Sequence, residues 1–273
     1  MSRAELDFLS AVARDAGRVI MQHYSTDFRV DYKGPGDPVT DADRAANTLI
    51  CERLSAQFPD AAIVAEESPE QTYRGYRERQ RVFFVDPLDG TREFVAKNGE
   101  FVVMIGLLVG DQVTLGVIYS PTTQKLWCGE SGVAAYRVDA DGAEVPLHVG
   151  SVIDPEQARL TISRSRRSEP LNRALRRINP RLVTPRGSAG LKGSLVVDDE
   201  ADAYLAIGAA GKHWDSCAVE ALVVAAGGSV TDAFGRTLAY RSEGLELEHG
   251  LLVTNPGLHR ELVPRLLEPA PGA

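Results

Sequence analysis

Apolar residues recur at helical spacing near the start of the chain. Leu6, Leu9, Val12, Ala13, Ala16, Val19 and Ile20 predict an amphipathic helix over residues 3–24. The stretch DYKGPGDPVT reads as a Gly/Pro loop. Thr40 then has the character of an N-cap, with Asp41 and Asp43 in the first turn of a helix that continues through Ala46, Leu49, Ile50 and Leu54 until Pro59. Beyond it the pattern shortens. AAIVAEES and RVFFV are apolar runs of strand type, and the polar stretch 69–80 between them reads as surface helix or loop. FVVMIGLLV and QVTLGVIYS flank Gly110-Asp111 and predict a hairpin; KLWCGE and AAYRV add strands.

A looser region over 145–160 is the candidate subdomain boundary, dividing the chain into halves 1–155 and 156–273. The second half alternates. RLTISRS, ADAYLAIG, SVTDAFG and LLVTNP read as strands, and EPLNRALRRI, GLKGSLVVDD, SCAVEALVVAAGG and GLHRELVPRLL as helices. An α+β first half and α/β alternation in the second predict a layered α/β fold.

Composition narrows the function classes. At 44% hydrophobic and 25% charged, the 273-residue chain is of ordinary globular type with a substantial core. A net charge of -8 argues against nucleic acid as partner. The longest apolar run falls short of the roughly 20 residues that span a bilayer, and the N-terminus lacks an apolar signal region, so no membrane partner and a cytoplasmic location are expected. Cys51, Cys128 and Cys217 lack metal-ligand spacing and are read as reduced thiols.

The chemistry is carried by apolar strands that end in acids. IVAEES ends in Glu66-Glu67, FFVDPLD holds Asp86 and Asp89, and KHWDSCAVEAL places Asp215 at a helix start. Strand ends and helix starts form the ligand-binding rim of α/β sheets. Carboxylates gathered there need cations, and hard oxygen donors suit Mg²⁺. Pro87 keeps Asp86 out of helical space, and Gly90 permits a tight turn. The amides of Gly90 and Thr91, at a short helix over TREFVAK, suit a phosphate. Each acid taken singly has a plainer role: Asp215 as a cap, Asp43 as a first-turn acid, Glu66-Glu67 as a solvated loop, Asp86 and Asp89 as turn formers.

The segments PVTDAD, AEES, DPLDGT and WDSCAVEALVVAAGG occur in one order across nearly the whole chain. In this the sequence resembles the lithium-sensitive inositol monophosphatase superfamily. GTREF–KNGEF, ISRSR and GSAGLK–GKHWDSCAVE are most similar to its 3'(2'),5'-bisphosphate nucleotidases, the CysQ type. Two positions depart from that pattern: Arg166 stands for a histidine, and the arginine that often follows the tyrosine is missing around Leu205 and Ala206. The resemblance implies the layered αβαβα sugar-phosphatase fold and a phosphomonoesterase with two Mg²⁺ ions, or three. Glu66, Asp86 and the Leu88 carbonyl would hold one ion; Asp86, Asp89 and Asp215 the second; Glu67 a looser third. Thr91, paired with Asp43, would orient and help deprotonate the attacking water, with no phosphoenzyme, and the second ion would stabilise the leaving alkoxide. Inhibition by Li⁺ that Na⁺ does not reproduce follows from the same resemblance.

The expected substrate is 3'-phosphoadenosine 5'-phosphate, a by-product of sulfur assimilation. The alternatives are inositol monophosphate or another small sugar phosphate on the same fold, and, in a different class, a non-catalytic metal- or phosphate-binding module. Intact Asp43 and Thr91 speak against the last, since a binder needs no water-activating pair. Ala206 stands where an acid would handle inositol hydroxyls. Ser163, Arg164, Ser165, Arg166, Gly187, Ser188 and Lys192 are candidates for the rest of the nucleotide, beside Gly90, Thr91 and Asp215. Lys33 and Asp37 belong either to a lid or to a plain loop. A monomer or homodimer is expected.

Overall fold

The computed structural model describes residues 3–26, 28–34 and 37–267; the side chain of Asp37 lies outside that set, as do residues 35 and 36 of the Gly/Pro loop. Helix α1 (Arg3–Tyr24) turns Leu6, Leu9, Val12, Ala16 and Ile20 inward. The segment read as a loop is instead a hairpin, β1 (Val30–Gly34) against β2 (Asp37–Thr40). Thr40 caps α2 (Asp41–Gln57) through a capping box completed by Asp43.

Seven strands follow in one sheet: β3 (Ala62–Ala65), β4 (Arg81–Asp89), β5 (Val102–Val109), β6 (Gln112–Ser120), β7 (Lys125–Glu130), β8 (Ala134–Val138) and β9 (Glu144–Pro146), in chain order across the sheet. The β3–β4 pair is parallel and the remaining pairs are antiparallel. The short helix α3 (Thr91–Val95) leaves the end of β4. The stretch 69–80 holds two single-turn 3₁₀ segments.

A second sheet of five strands has the order β11 (Leu182–Arg186), β10 (Arg159–Ser163), β12 (Ala203–Ala206), β14 (Leu251–Thr254), β13 (Ser229–Thr231). Strand β11 escaped the sequence reading because LVTPR offers only two apolar residues and a proline. Proline is tolerated there because β11 is the edge strand. Helices α4 (Glu169–Ile178), α5 (Ala189–Val197), α6 (His213–Ala225) and α7 (Pro256–Leu267) complete the chain.

Three apolar clusters fix the layers. Residues of α1 and α2 pack with Val103, Ile105 and Leu107 on one face of the large sheet. Val102, Met104 and Ile118 on its other face meet α5 and α6, which touch Tyr204 and Val253 of the small sheet. Leu160, Ile162 and Leu252 on the far side of that sheet meet α4 and α7. The order is therefore αβαβα. No helix among the described residues is long and apolar enough to cross a membrane.

Helix α6 is apolar nearly all round because it is covered on both sides. It lies on a row of three glycines, Gly106, Gly116 and Gly129, which are direct cross-strand neighbours. A Cβ on Gly106 would stand 2.6 Å from the Ala218 amide nitrogen, and Cβ atoms on Gly116 and Gly129 would run into Ala218 and Leu222 main chain. The absent side chains let helix backbone rest on sheet backbone. Gly116→Ala is expected to cost about 1–3 kcal/mol, the range for overpacking a core. A thermal melt reads this as a lowered midpoint; an unchanged midpoint would mean that α6 can back away freely.

Candidate active site

The site gathers at the ends of β3 and β4 and the start of α6. Strand β4 has an irregularity that answers why two aspartates stand three residues apart. Asp86 pairs with Met104 and Asp89 with Val102, so one extra residue is inserted on the β4 side. In a regular strand residues i and i+3 face opposite sides. The bulge restores the phase, and both carboxylates face the α5–α6 layer while Leu88 is packed into the opposite core. The Leu88 amide donates to Asp86 Oδ1 at 3.0 Å. Gly90 follows at φ 101°, and a Cβ there would sit 2.8 Å from the Glu100 carbonyl oxygen.

One carboxylate oxygen each from Asp86, Asp89 and Asp215 lies within 4.8 Å of the others. Asp89 Oδ2 accepts from Ser188 Oγ at 2.5 Å and from the Gly190 amide at 2.7 Å. Asp215, in the first turn of α6, accepts from the Lys212 amide at 2.6 Å. Glu66 lines the same cavity. Burial, followed by the charges of Glu66, Asp89 and Asp215, pushes Asp86 well above the usual carboxylate range. Burial, then Asp89 and Glu66, pushes Asp215 up to about 7. Such mutual repulsion marks a donor set that fits a hard divalent cation: oxygen ligands only, close together and shielded from water.

Glu67 stands apart from the cavity lining. Lys33 Nζ donates to Glu66 Oε1 and Glu67 Oε1, each at 2.7 Å. Burial, then the Glu66 charge, raises Glu67 to about 7, while Lys33 opposes the rise.

Asp43 is both cap and partner. Its Oδ2 accepts from the Thr40 amide at 2.8 Å and from Thr40 Oγ1 at 2.6 Å; its Oδ1 accepts from Thr91 Oγ1 at 3.0 Å. The Thr91 hydroxyl also lies 3.2 Å from the Leu88 carbonyl oxygen. One proton cannot serve both acceptors at full strength, so engagement of Leu88 O elsewhere would leave the proton to Asp43. Burial raises the Asp43 carboxyl against the bonds from Thr40 and Thr91.

Away from the acids, the cavity is lined by Ser163, Ser165, Arg166, Ser188, Lys192 and Tyr204. Lys192 is 3% exposed, donates to the Ser188 and Gly187 carbonyls at 2.5 and 3.3 Å, and stands over the Tyr204 ring. Burial lowers it to about 8 against the pull of Asp89. Ala206 lines the cavity with no acid beside it on β12.

Two sequence candidates are turned elsewhere. Arg164 is held by Glu93 and Glu100 at 2.8 and 2.9 Å, and the Gly187 amide donates to Glu100 at 2.7 Å. Neither lines the cavity. The SRSRR run is polar throughout, so no apolar alternation revealed which side chains face inward. Arg92 and Tyr204 do line the cavity but were not singled out from sequence; Arg92 follows Thr91 directly, which was the available signal.

A three-aspartate cluster, two of its members buried and the third half-buried, with a hydroxyl–carboxylate pair beside it at the rim of a five-layer fold, defines a metal-dependent phosphomonoesterase site. The chain belongs to the inositol monophosphatase family, whose model matches residues 3–270. It is 36% identical over 259 residues to the 3'(2'),5'-bisphosphate nucleotidase CysQ of Salmonella typhimurium, covering 91% of this chain and 99% of the relative. The Escherichia coli K12 protein of the same name is 35% identical over 262 residues, with the same coverage of 91% and 99%. Among solved structures, the extragenic suppressor protein suhB of Bartonella henselae superposes with a TM-score of 0.85 at 26% identity, covering 98% of this chain and 100% of that one. The inositol monophosphatase of Anabaena gives 0.80 at 27%, covering 99% and 98%.

Proposed function

We propose that this protein is a magnesium-dependent 3'(2'),5'-bisphosphate nucleotidase that hydrolyses 3'-phosphoadenosine 5'-phosphate to AMP and phosphate. One juxtaposition carries the reading: a cluster of acids and three cations, Arg92, Arg166 and Lys192, line the same cavity, with Ala206 beside them. The 35–36% identity to CysQ nucleotidases over nearly their whole length supports it.

Glu66, Asp86, the Leu88 carbonyl, Asp89 and Asp215 would hold two Mg²⁺ ions, with Glu67 near a third. Bound magnesium neutralises charge on the phosphoryl group and lowers the pKa of water. Thr91 donates toward Asp43, which leaves its oxygen lone pairs to orient a water for in-line attack, and Asp43 holds the proton acceptor side of that pair. The amides of Gly90 and Thr91 offer donors to the reacting phosphate. Lys192, lowered to about 8 by burial, stays largely protonated at neutral pH, and an anionic phosphate beside it would raise it again. The half 1–155 supplies the metal ligands other than Asp215, together with the phosphate donors Gly90 and Thr91; the half 156–273 supplies the other substrate groups and Asp215, and the protein works as a monomer or homodimer in the cytoplasm.

Phosphate release with Mg²⁺ is the test, across 3'-phosphoadenosine 5'-phosphate, inositol 1-phosphate, fructose 1,6-bisphosphate and histidinol phosphate. The first should have the highest kcat/KM. Lys192→Met, which keeps the apolar stem, should narrow the gap by roughly 10- to 100-fold, the worth of one charge-assisted hydrogen bond. Equal or reversed preference in the unmutated protein would overturn the nucleotide reading and leave the acid cluster's chemistry standing.

A further inference from the structure

Two buried or half-buried glutamates lie just outside the site and are not used by the chemistry above. Glu93 is on α3, two residues after Thr91. Glu100 lies in the segment between α3 and β5. Both reach across to the second half of the chain. Arg164 Nη1 donates to Glu93 Oε2 at 2.8 Å, and its Nη2 to Glu100 Oε1 at 2.9 Å. Arg186 Nη1 donates to Glu100 Oε1 at 3.1 Å, and the Gly187 amide to Glu100 Oε2 at 2.7 Å. The Arg164 amide, in turn, donates to the Arg186 carbonyl at 2.9 Å. Burial works against ionisation of Glu100, but Arg164 and the Gly187 amide hold it below its ordinary range.

The neighbours of the clamped residues are the ones that face the cavity. Ser163, Ser165 and Arg166 flank Arg164 and line it; Ser188 follows Gly187 and lines it. A Cβ on Gly187 would collide with the Glu93 side chain, so the turn rests directly on that glutamate. Glu100 also presses its carbonyl on Gly90 of the acid turn. The guanidinium therefore does not line the cavity, and its two carboxylate partners belong to the metal-bearing half.

We propose that Glu93 and Glu100 with Arg164 form a positioning clamp that fixes the Ser163–Arg166 and Gly187–Ser188 segments against the acid turn, and so sets the affinity for the part of the substrate beyond the reacting phosphate. Arg164 acts through its neighbours, not by contact with substrate. The clamp rests on the phosphomonoesterase reading but not on which phosphomonoester is preferred. A planar guanidinium can bridge two carboxylates; an ammonium pairs with one well.

The test uses the full-length enzyme with Mg²⁺ and whichever phosphomonoester of the panel it hydrolyses fastest. A substrate other than the adenosine bisphosphate would overturn the nucleotide reading while leaving the clamp fully testable. Glu100→Gln and Arg164→Gln should each raise KM about tenfold, the effect of a 1.4 kcal/mol change. Their kcat and their Mg²⁺ affinity by calorimetry should stay within about twofold, since ground-state and transition-state binding are lost alike. The double variant should lose clearly less than the product of the two single losses, because the Arg164–Glu100 contact is shared, although Arg164 also holds Glu93 and Glu100 also holds Arg186 and the Gly187 amide. Arg164→Lys should recover part of the KM. Multiplying losses in the double variant would mean that Arg164 touches substrate itself, and would overturn the proposal. Lowered melting temperature with unchanged KM, or matching losses in kcat and Mg²⁺ affinity, would equally overturn it in favour of a purely structural ion pair. If Arg164→Gln fails to fold, Glu100→Gln and Arg164→Lys give the same comparison.

Discussion

Asp89→Asn should abolish nearly all turnover while making the metal-free protein more stable. The two effects have opposite signs and one cause. Asp89 Oδ2 is committed to Ser188 Oγ and the Gly190 amide. The amide oxygen of Asn can accept those same bonds, so the fold around α5 keeps its anchor. The other oxygen is replaced by an N–H donor inside the cluster that the residue forms with Asp86 and Asp215, where a cation has to be held. Several kcal/mol of charge stabilisation at about 1.36 kcal/mol per decade of rate gives a loss of roughly 10³-fold in kcat/KM. Calorimetric titration should show weakened Mg²⁺ binding. In the metal-free state, however, Asp89 raises the carboxyls of both Asp86 and Asp215, which measures its repulsion on them. Removing that charge should raise the melting temperature in chelator. Near-normal turnover, or a lower melting temperature in chelator together with unchanged Mg²⁺ affinity, would remove Asp89 from the metal-binding set.

Thr91→Ala should lower kcat by about 10²-fold, the lower range for a proton-transfer group, with Mg²⁺ affinity unchanged. The structure explains why the loss should be confined to chemistry. Asp43 keeps both of its bonds from Thr40, so the cap of α2 survives. The Leu88 carbonyl loses a weak hydrogen bond from Thr91 and is free to serve as a metal ligand. Thr91→Ser, which retains the hydroxyl, should recover most of the rate. Parallel losses in metal affinity and kcat would make Thr91 a structural residue of the turn.

Much of this was legible in the sequence because the site is built at element boundaries, and boundaries have strong local chemistry. Thr40–Asp43 announces a capping box; Pro87 and Gly90 bracket a turn; Asp215 opens a helix closed by Gly-Gly. The helices α1 and α2 follow their apolar periodicity, and α6 its apolar run closed by glycines. The illegible parts depend on partners distant in the chain. The extra residue in β4 is defined only against Met104 and Val102 on β5. The stretch 31–40 reads as a loop because strands β1 and β2 leave few apolar positions to read. Arg164 was assigned to substrate because its charge was visible and its partners, Glu93 and Glu100, were not recognisable as partners. An ion pair between residues more than sixty positions apart leaves no periodic trace.

The glycine row beneath α6 has a bearing on ion discrimination. Where side chains separate a helix from a sheet, the spacing can relax by rotamer changes. Here main chain rests on main chain at Gly106, Gly116 and Gly129, and the repulsion behaves as a hard wall. Asp215 rides on that helix and Asp86 and Asp89 on the sheet, so the gap between the donors is gauged by the contact of two backbones. Mg²⁺ prefers oxygen bonds of about 2.0–2.1 Å, and Ca²⁺ about 2.3–2.6 Å with more ligands. Widening that gap for the larger ion would lift α6 off the sheet and forfeit the close contacts of the glycine row, which leaves side-chain rotation as the cheaper way to find room. Three missing methyl groups, beneath a helix buried between two sheets, thus act as a calliper on ionic radius.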